Sequence, residues 1–502
     1  MRLRTEWLLF GTLLTAGCEL GTEDDAAPED SLAARAEFSS DDVDHLLARV
    51  EFGVDPVERS RAREMGLAAY VGEMLSFDAS IGTAAESEAA AYLQNSSDPV
   101  GLEGKFPSRN DITEWWLYLM LHSERPFQER LAMFWHDHFA ISYSVLRTEE
   151  RYMAVDYIEK LRRQGLGNFK DLVLTMARDP AMLEWLDGAS NVKVEPNENF
   201  AREFFELFTV GADRGYSETD IQEAARAFTG YRNRLDATTN LRLLEFDSER
   251  KDVGAKVLFE DVILFSNGAD VDDYELVVNA TFDTLDAAGW LAEKLLLEFV
   301  TTTPSQELID GLRGVILAED YEMRPILRRL FLSEAFYVRT GELVRMPVDY
   351  GVGTVRATGL MVAPDDLRSE LSLLGQVPGD PPSVFGWPQG EEWLSAAGMV
   401  ERANLVRRLI GERSFQSSNG FEINMPSGTP DAAAVVDHFA GLLRIRLSSA
   451  ERETFIDYLN TNVRNNDDLE EDLFDATDAN HISARVRGLI YMLASHPDAL
   501  ER

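Results

Sequence analysis

Along most of the chain, apolar residues recur every three or four positions, the spacing that lines one face of an α-helix. In D-I-T-E-W-W-L-Y-L-M-L-H-S-E-R-P-F-Q-E-R-L-A-M-F-W-H, residues 111 to 136, the stripe persists while the charges collect elsewhere. The same period marks R-Y-M-A-V-D-Y-I-E-K-L-R-R, F-K-D-L-V-L-T-M-A-R-D, G-W-L-A-E-K-L-L-L-E-F-V, M-R-P-I-L-R-R-L-F-L and V-R-G-L-I-Y-M-L-A-S. Strand signals are confined to the middle, around L-R-L-L-E-F-D and K-V-L-F-E-D-V-I-L-F, and predict a short β-hairpin insertion near 241–266. The polar Gly/Pro/Ser run at 416–431 reads as a flexible loop and the best internal boundary. The expected fold is mainly α: one large helical domain over 42–502 with that hairpin set into it.

Two consecutive segments add a polar face to the apolar stripe. In P-N-E-N-F-A-R-E-F-F-E-L-F-T-V-G (196–211), Asn197 is a good N-cap and Gly211 a stop. At about 100° per residue, Phe200, Phe204, Leu207 and Phe208 share one stripe, with Asn199, Arg202, Glu203 and Glu206 opposite. Glu198, Arg202 and Glu206 are also spaced i, i+4, i+8. On spacing alone, mutual ion pairing on a solvated face is the stronger reading of them. In Y-S-E-T-D-I-Q-E-A-A-R-A-F-T-G-Y, Ser217 with Asp220 has the form of a capping box, and Ile221, Ala225 and Phe228 form the buried stripe. Glu223 and Arg226 point away from it and can pair.

F-W-H-D-H-F, residues 134 to 139, places His136 and His138 two positions apart among large aromatics. On an α-helix such positions diverge by about 200° and cannot grip one ion. In an extended segment or at a helix end they lie on one side, about 6.6 Å apart along the chain. A helix ending near Trp135 permits that arrangement. Imidazole pairs suit divalent transition metals, with Glu203 or Glu206 able to complete the set. The competing reading is two neutral rings hydrogen-bonded inside an aromatic core, and this stretch alone favours it. A further segment, L-G-Q-V-P-G-D-P-P-S-V-F-G-W-P-Q-G-E-E-W-L, cannot be helical yet carries Phe385, Trp387 and Trp393. Such a loop either plugs into the core or lines a cleft for a sugar or peptide.

Composition narrows the function classes. The formal charge is −40, from 88 acidic against 48 basic residues, a field that repels phosphate backbones and argues against nucleic acid as a partner. With 45% hydrophobic residues a large packed core is affordable. The single cysteine, Cys18, excludes an internal disulfide framework. It follows Arg2, Arg4, an apolar run from Trp7 to Leu14 and the small residues Thr15-Ala16-Gly17. That is the layout of a signal peptide over 1–17, and it resembles a bacterial lipobox with Cys18 as the lipidated residue. The acidic, aperiodic stretch 18–41 then reads as a solvated tether.

Taken together, these blocks resemble the bacterial family known as domain of unknown function 1800. The resemblance begins at H-L-L-A-R-V-E-F-G (45–53) and continues through F-Q-E-R-L-A-M-F-W-H-D-H-F. It then takes in L-D-G-A-S-N-V-K-V-E-P-N-E-N-F-A-R-E-F-F-E-L-F-T-V-G and the segment after it, and resumes at D-P-P-S-V-F-G-W-P-Q-G-E-E-W-L with E-R-A-N-L. It implies an exported bacterial protein, often encoded beside a second exported family, domain of unknown function 1501, which is the candidate partner. It also implies that His136, His138, Asn191, Lys193, Asn197, Glu198, Asn199, Arg202, Glu203, Asp220, Glu223 and Arg226 form one polar centre. The chain departs from the family pattern at Lys251-Asp252, where many relatives carry His-Asp, and at T-F-D-T-L-D, where they carry His-Pro.

Three functions follow as expectations. The first is a metal-dependent hydrolase or oxidase of the cell envelope. His136 and His138 would be ligands to a divalent transition metal, Glu203 or Glu206 a third ligand or general base, and Arg202 an anion clamp. The second is a lipid-anchored assembly protein whose polar centre fixes helix packing. The third is a carbohydrate- or peptide-binding module built on the aromatic loop, which needs its tryptophans exposed.

Overall fold

The computed structural model describes residues 31–94, 106–236, 242–411, 423–464 and 468–502. Twenty-two α-helices lie among the described residues, so the chain is mainly α. The long apolar run 111–136 divides into two helices, Arg109–His122 and Pro126–His138. Ser108 and Asp111 form a capping box on the first. The break falls at Ser123–Arg125 because Pro126 cannot continue a helix, whereas it suits the first turn of a new one. These two helices pack on each other. The first also meets the helices Ala84–Gln94, Pro347–Thr358 and Pro364–Leu373, and the second meets Ser40–Val50 and Tyr152–Gln164. Buried apolar side chains form one continuous cluster from Val43 to Ala499.

The middle of the chain holds two hairpins. L-R-L-L-E-F-D supplies β2 (Arg242–Phe246), which pairs antiparallel with β1 (Tyr231–Leu235), Tyr231 opposite Phe246. K-V-L-F-E-D-V-I-L-F folds on itself as β3 (Lys256–Leu258) and β4 (Val262–Leu264). Its turn uses positive φ at Phe259 and Glu260, 52° and 68°. A third pair, β5 (Thr461–Arg464) and β6 (Asp468–Glu471), comes from polar sequence without an apolar alternation to announce it.

The tether expectation changes at its C-terminal end. Residues 1–30, with Cys18, and residues 416–422 of the expected loop lie outside the described residues. Residues 31–35 run against the body: Ala335 N–H donates to Ser31 O, Glu334 N–H to Ala33 O, and Arg35 N–H to Leu332 O. The Arg35 guanidinium bridges Asp42 and Glu334 at 3.2 and 2.8 Å. Backbone pairing plus two ion pairs thus makes this stretch part of the fold. No helix among the described residues is long and apolar enough to cross a membrane.

The opening block H-L-L-A-R-V-E-F-G works as a tie. His45 Nε2–H donates to Phe336 O at 2.8 Å, and Arg49 donates to the carbonyls of Phe299, Val300 and Arg339. The Phe299 and Val300 carbonyls end the helix Ala287–Phe299, where a cation is favourable. Beside it lies a buried charge cluster. Arg130 is ion-paired with Glu298 and lies 3.5 Å from Asp349; Arg502 reaches Asp349 at 2.8 Å and Glu298 at 3.0 Å. All four side chains are at most 7% exposed. Removing one member strands the others, so Arg130→Met is expected to cost about 3–5 kcal/mol. The exposed Arg452–Asp437 pair should contribute far less, being screened by solvent. Urea unfolding of Arg130→Met and Arg452→Ala compares them; equal shifts would refute the assignment.

Candidate functional site

The helix Pro126–His138 does not stop at Trp135 but runs through His138, with Phe139 N–H donating to Trp135 O at 2.8 Å. His136, Asp137 and His138 are therefore fanned around a helix, and the two imidazoles diverge. His136 is fully buried in an aromatic box of Trp116, Tyr157 and Trp387, with ring centroids 5.4, 6.2 and 5.5 Å away. Burial pulls its pKa down to about 3. His138 turns the other way, and its Nε2–H donates to Phe208 O at 3.0 Å. Burial, reinforced by the Lys294 charge, takes it too to about 3. The convergent pair expected at a helix end is not formed, because packing around Trp135 and Phe139 sustains the helix. The two rings do not fit a shared metal, and no group of three or more His, Cys, Asp or Glu among the described residues is placed to hold one.

Asp137, between them, is the most exposed of the three, and both it and His138 line one cleft. It is held by the aromatic loop: Trp387 N–H donates to Oδ1 at 2.8 Å and Gln389 Nε2 to Oδ2 at 2.7 Å. This explains the Phe-Gly-Trp sequence. Gly386 has φ of +81°, and a Cβ there would sit 2.2 Å from Asp137 Oδ1, so only glycine admits the approach. Trp387 is sealed at 3% exposure, stacked on His136, and Trp393 is half-buried with its indole N–H on Pro388 O. The exposed tryptophans of the binding-module expectation are thus replaced by a plug, leaving Phe385 exposed.

In front of Asp137 opens a cleft of about 760 Å³. Its walls include Phe134, Leu343, Leu394 and Met399, and its polar groups include Asp137, Lys294, Glu298, Glu342, Gln389 and Arg502. Apolar walls around a few convergent polar groups are the usual make-up of a ligand site. Burial pushes the Asp137 carboxyl up to about 7; the Trp387 N–H and Lys294 oppose this and Glu298 adds to it. Burial lowers the pKa of Lys294, with Asp137 working the other way. Its ammonium also sits 4.6 Å from the Trp290 ring centroid. Asp137, Lys294 and Glu298 were not singled out from sequence. The available signal was a charge inside an apolar run: Glu298 in L-L-L-E-F-V, Lys294 one turn earlier, and Asp137 between aromatics.

The residues expected to form one polar centre sort into structural ties instead. Asn191 is buried, donating to Ala225 O at 2.8 Å and accepting from Asn197 N–H at 2.9 Å. Asn197 caps the helix Glu198–Glu203, and Asn199 donates to Leu186 O. Lys193 is exposed. Arg202 is bidentate to Glu218 at 2.9 and 2.6 Å and also pairs with Glu198 and Glu206 at 3.7 and 3.6 Å. This is the solvated ion-pair face that spacing favoured. Glu203 is half-buried, its carboxyl pushed up by burial and then by Glu206. After Glu203 the helix widens into a π-turn, Phe204–Thr209, which buries Phe205 and leaves Leu207 half-buried, contrary to the simple helical stripe.

Asp220 completes the capping box on the helix Glu218–Ala227 and accepts from Phe259 N–H. Glu223 accepts from Val257 N–H at 3.0 Å, and Arg226 joins Glu223 to Asp252. These groups fasten the β3–β4 hairpin to the helix. Lys251 is a buried clamp donating to Gly268 O at 2.7 Å and Asp273 at 3.0 Å.

Fold and site define a helical protein with a polar-floored cleft, backed by a buried charge cluster. The chain belongs to the family described as "Protein of unknown function (DUF1800)", whose model matches residues 45–500. No curated protein and no solved structure matches it.

Two outcomes test this geometry. The unfolded histidines take up protons near 6.5 while His136 and His138 stay neutral down to about 3, so stability is lost as pH falls through that window. Each ring is expected to withdraw about 2 kcal/mol by pH 5. In His136→Phe the loss between pH 7 and 5, read by urea unfolding, should shrink by that amount; an unchanged pH slope would count against it. Gly386→Ala should detach the loop, raising Trp387 fluorescence quenching by added acrylamide, whereas wild-type quenching would refute the close approach.

Proposed function

We propose that this chain is an exported, lipid-anchored envelope protein with an acid–base cleft, and that hydrolysis is its reaction class. The observation that carries the reading is Asp137, positioned by Trp387 and Gln389 in the cleft and sharing it with Lys294. A carboxyl with a pKa of about 7 is near half-protonated at neutral pH and can both take and return a proton. The role first assigned to Glu203 or Glu206, with Arg202, passes to Asp137 with Lys294, because the Arg202 face is already paired with Glu218 in solvent. Phe134 and Leu343 with the other apolar walls exclude water from one side and orient an apolar portion of the substrate. Export and the anchor rest on Arg2, Arg4, the apolar run and Cys18. Partnership with an exported domain of unknown function 1501 protein rests on the family resemblance.

A second reading, an envelope assembly protein, is favoured by one observation. Asn191, Asn197, Asp220, Glu223 and Arg226 are satisfied as caps and cross-ties.

The two are separated by assaying the purified chain on a panel of esters, amides and glycosides. Activity should follow an ionisation near pH 7 and fall by about 10²–10⁴-fold in Asp137→Asn, with Arg202→Ala close to wild type. Full activity in Asp137→Asn would sink the acid–base reading. The assembly reading expects Arg226→Ala, not Asp137→Asn, to impair the cell envelope.

A further inference from the structure

A smaller pocket lies where the helix Ser40–Val50 ends against Pro56–Met65, Leu67–Met74 and the start of Pro126–His138. Its volume is about 240 Å³, below the range of drug-sized sites, and Met74, Phe77 and Phe127 give it an apolar wall. Glu51 and Gln128 also line it, at 1% and 2% exposure. Glu51 belongs to the opening block H-L-L-A-R-V-E-F-G, and the cleft makes no use of it.

Proton counting defines the state of Glu51. The Tyr70 hydroxyl lies 2.6 Å from Glu51 Oε1 and 2.8 Å from Glu58 Oε2. A phenol has a single proton, so it donates to one of these carboxyls and must accept from the other. Glu58 is ion-paired with Arg61 at 3.1 Å, and Arg61 is further paired with Glu73. The added proton therefore sits on Glu51. Burial pushes that carboxyl up to about 8, Tyr70 and Arg356 opposing and Glu58 and Asp55 adding.

With Oε1 engaged on Tyr70, Glu51 Oε2 is an acceptor sealed from solvent with no hydrogen-bond partner. Gln128 repeats the pattern: Nε2 donates to Arg162 O at 3.0 Å, and Oε1 is sealed and unpartnered. Buried acceptors left unmade are costly, and the two residues that carry these line one pocket. The other charged side chains lining it are Glu58, Glu73 and Glu124 against Arg61 and Arg125, so negative charge is in excess.

We propose that this pocket binds a small primary ammonium, its N–H groups donating to Glu51 Oε2 and Gln128 Oε1 and its short aliphatic part lying against Met74, Phe77 and Phe127. The site is separate from the Asp137 cleft and does not depend on its chemistry.

Ethylammonium chloride titrated into the purified chain by calorimetry tests it, with tetramethylammonium chloride as a cation lacking N–H donors. Ethylammonium should bind with a Kd in roughly the millimolar range, the ceiling for so few atoms. Tetramethylammonium and the Gln128→Leu variant should each weaken binding at least about tenfold, the loss of one buried hydrogen bond to a charged group. Crystals of the wild-type chain soaked in ethylammonium give a readout independent of how the variant folds. Nitrogen density between Glu51 Oε2 and Gln128 Oε1 supports the site. Equal binding of the two cations, or soaked crystals without that density, overturns it.

Discussion

The buried cluster of Arg130, Glu298, Asp349 and Arg502 is the constraint on which the rest of the structure depends. Charges taken out of water are tolerated only when their partners are held in place. Here the partners come from the helices Pro126–His138, Ala287–Phe299 and Pro347–Thr358 and from residue 502, so these parts must arrive together. Asp137 stands two turns beyond Arg130 on one of those helices, and Lys294 one turn before Glu298 on another. Aligning the cluster therefore also aligns these two groups that line the same cleft.

The same arrangement sets the electrostatics. Apolar packing on one side and the aromatic loop on the other withdraw Asp137 from water, and Glu298 adds a like charge behind it. The loop's Trp387 N–H keeps the carboxyl from rising further. Gly386 is what brings that N–H within 2.8 Å. Further from the cleft, Arg202, Glu206 and Glu218 remain a solvated ion-pair face whose contribution to stability is small.

Much of the fold was legible in the residues. Periodicity located the long helices, and Asn197 and Ser217 marked starts that the capping geometry reproduces. The hairpin region was placed, though its division into two pairs depended on partners outside the apolar runs: β2 pairs back to Tyr231–Leu235. The candidate site was half legible. F-W-H-D-H-F marked the place, but attention to imidazole chemistry passed over Asp137. Which of these adjacent side chains reach a cleft, Asp137 and His138 but not His136, depends on whether the helix persists, and that is decided by the packing of Trp135 and Phe139.

By itself, the sequence determined the helical class, the acidic surface, the family and the short segment around which the site is built. These follow from local periodicity, charge and motif. Tertiary structure alone decided that His136 is core, that Asp137 is a polar group at the cleft, and that Trp387 is a plug. It also decided that Lys251 is a clamp for a loop. The physical reason is that burial, and with it the protonation of Asp137 and Glu51, is set by neighbours more than fifty positions away or across a helix junction, which no local pattern records.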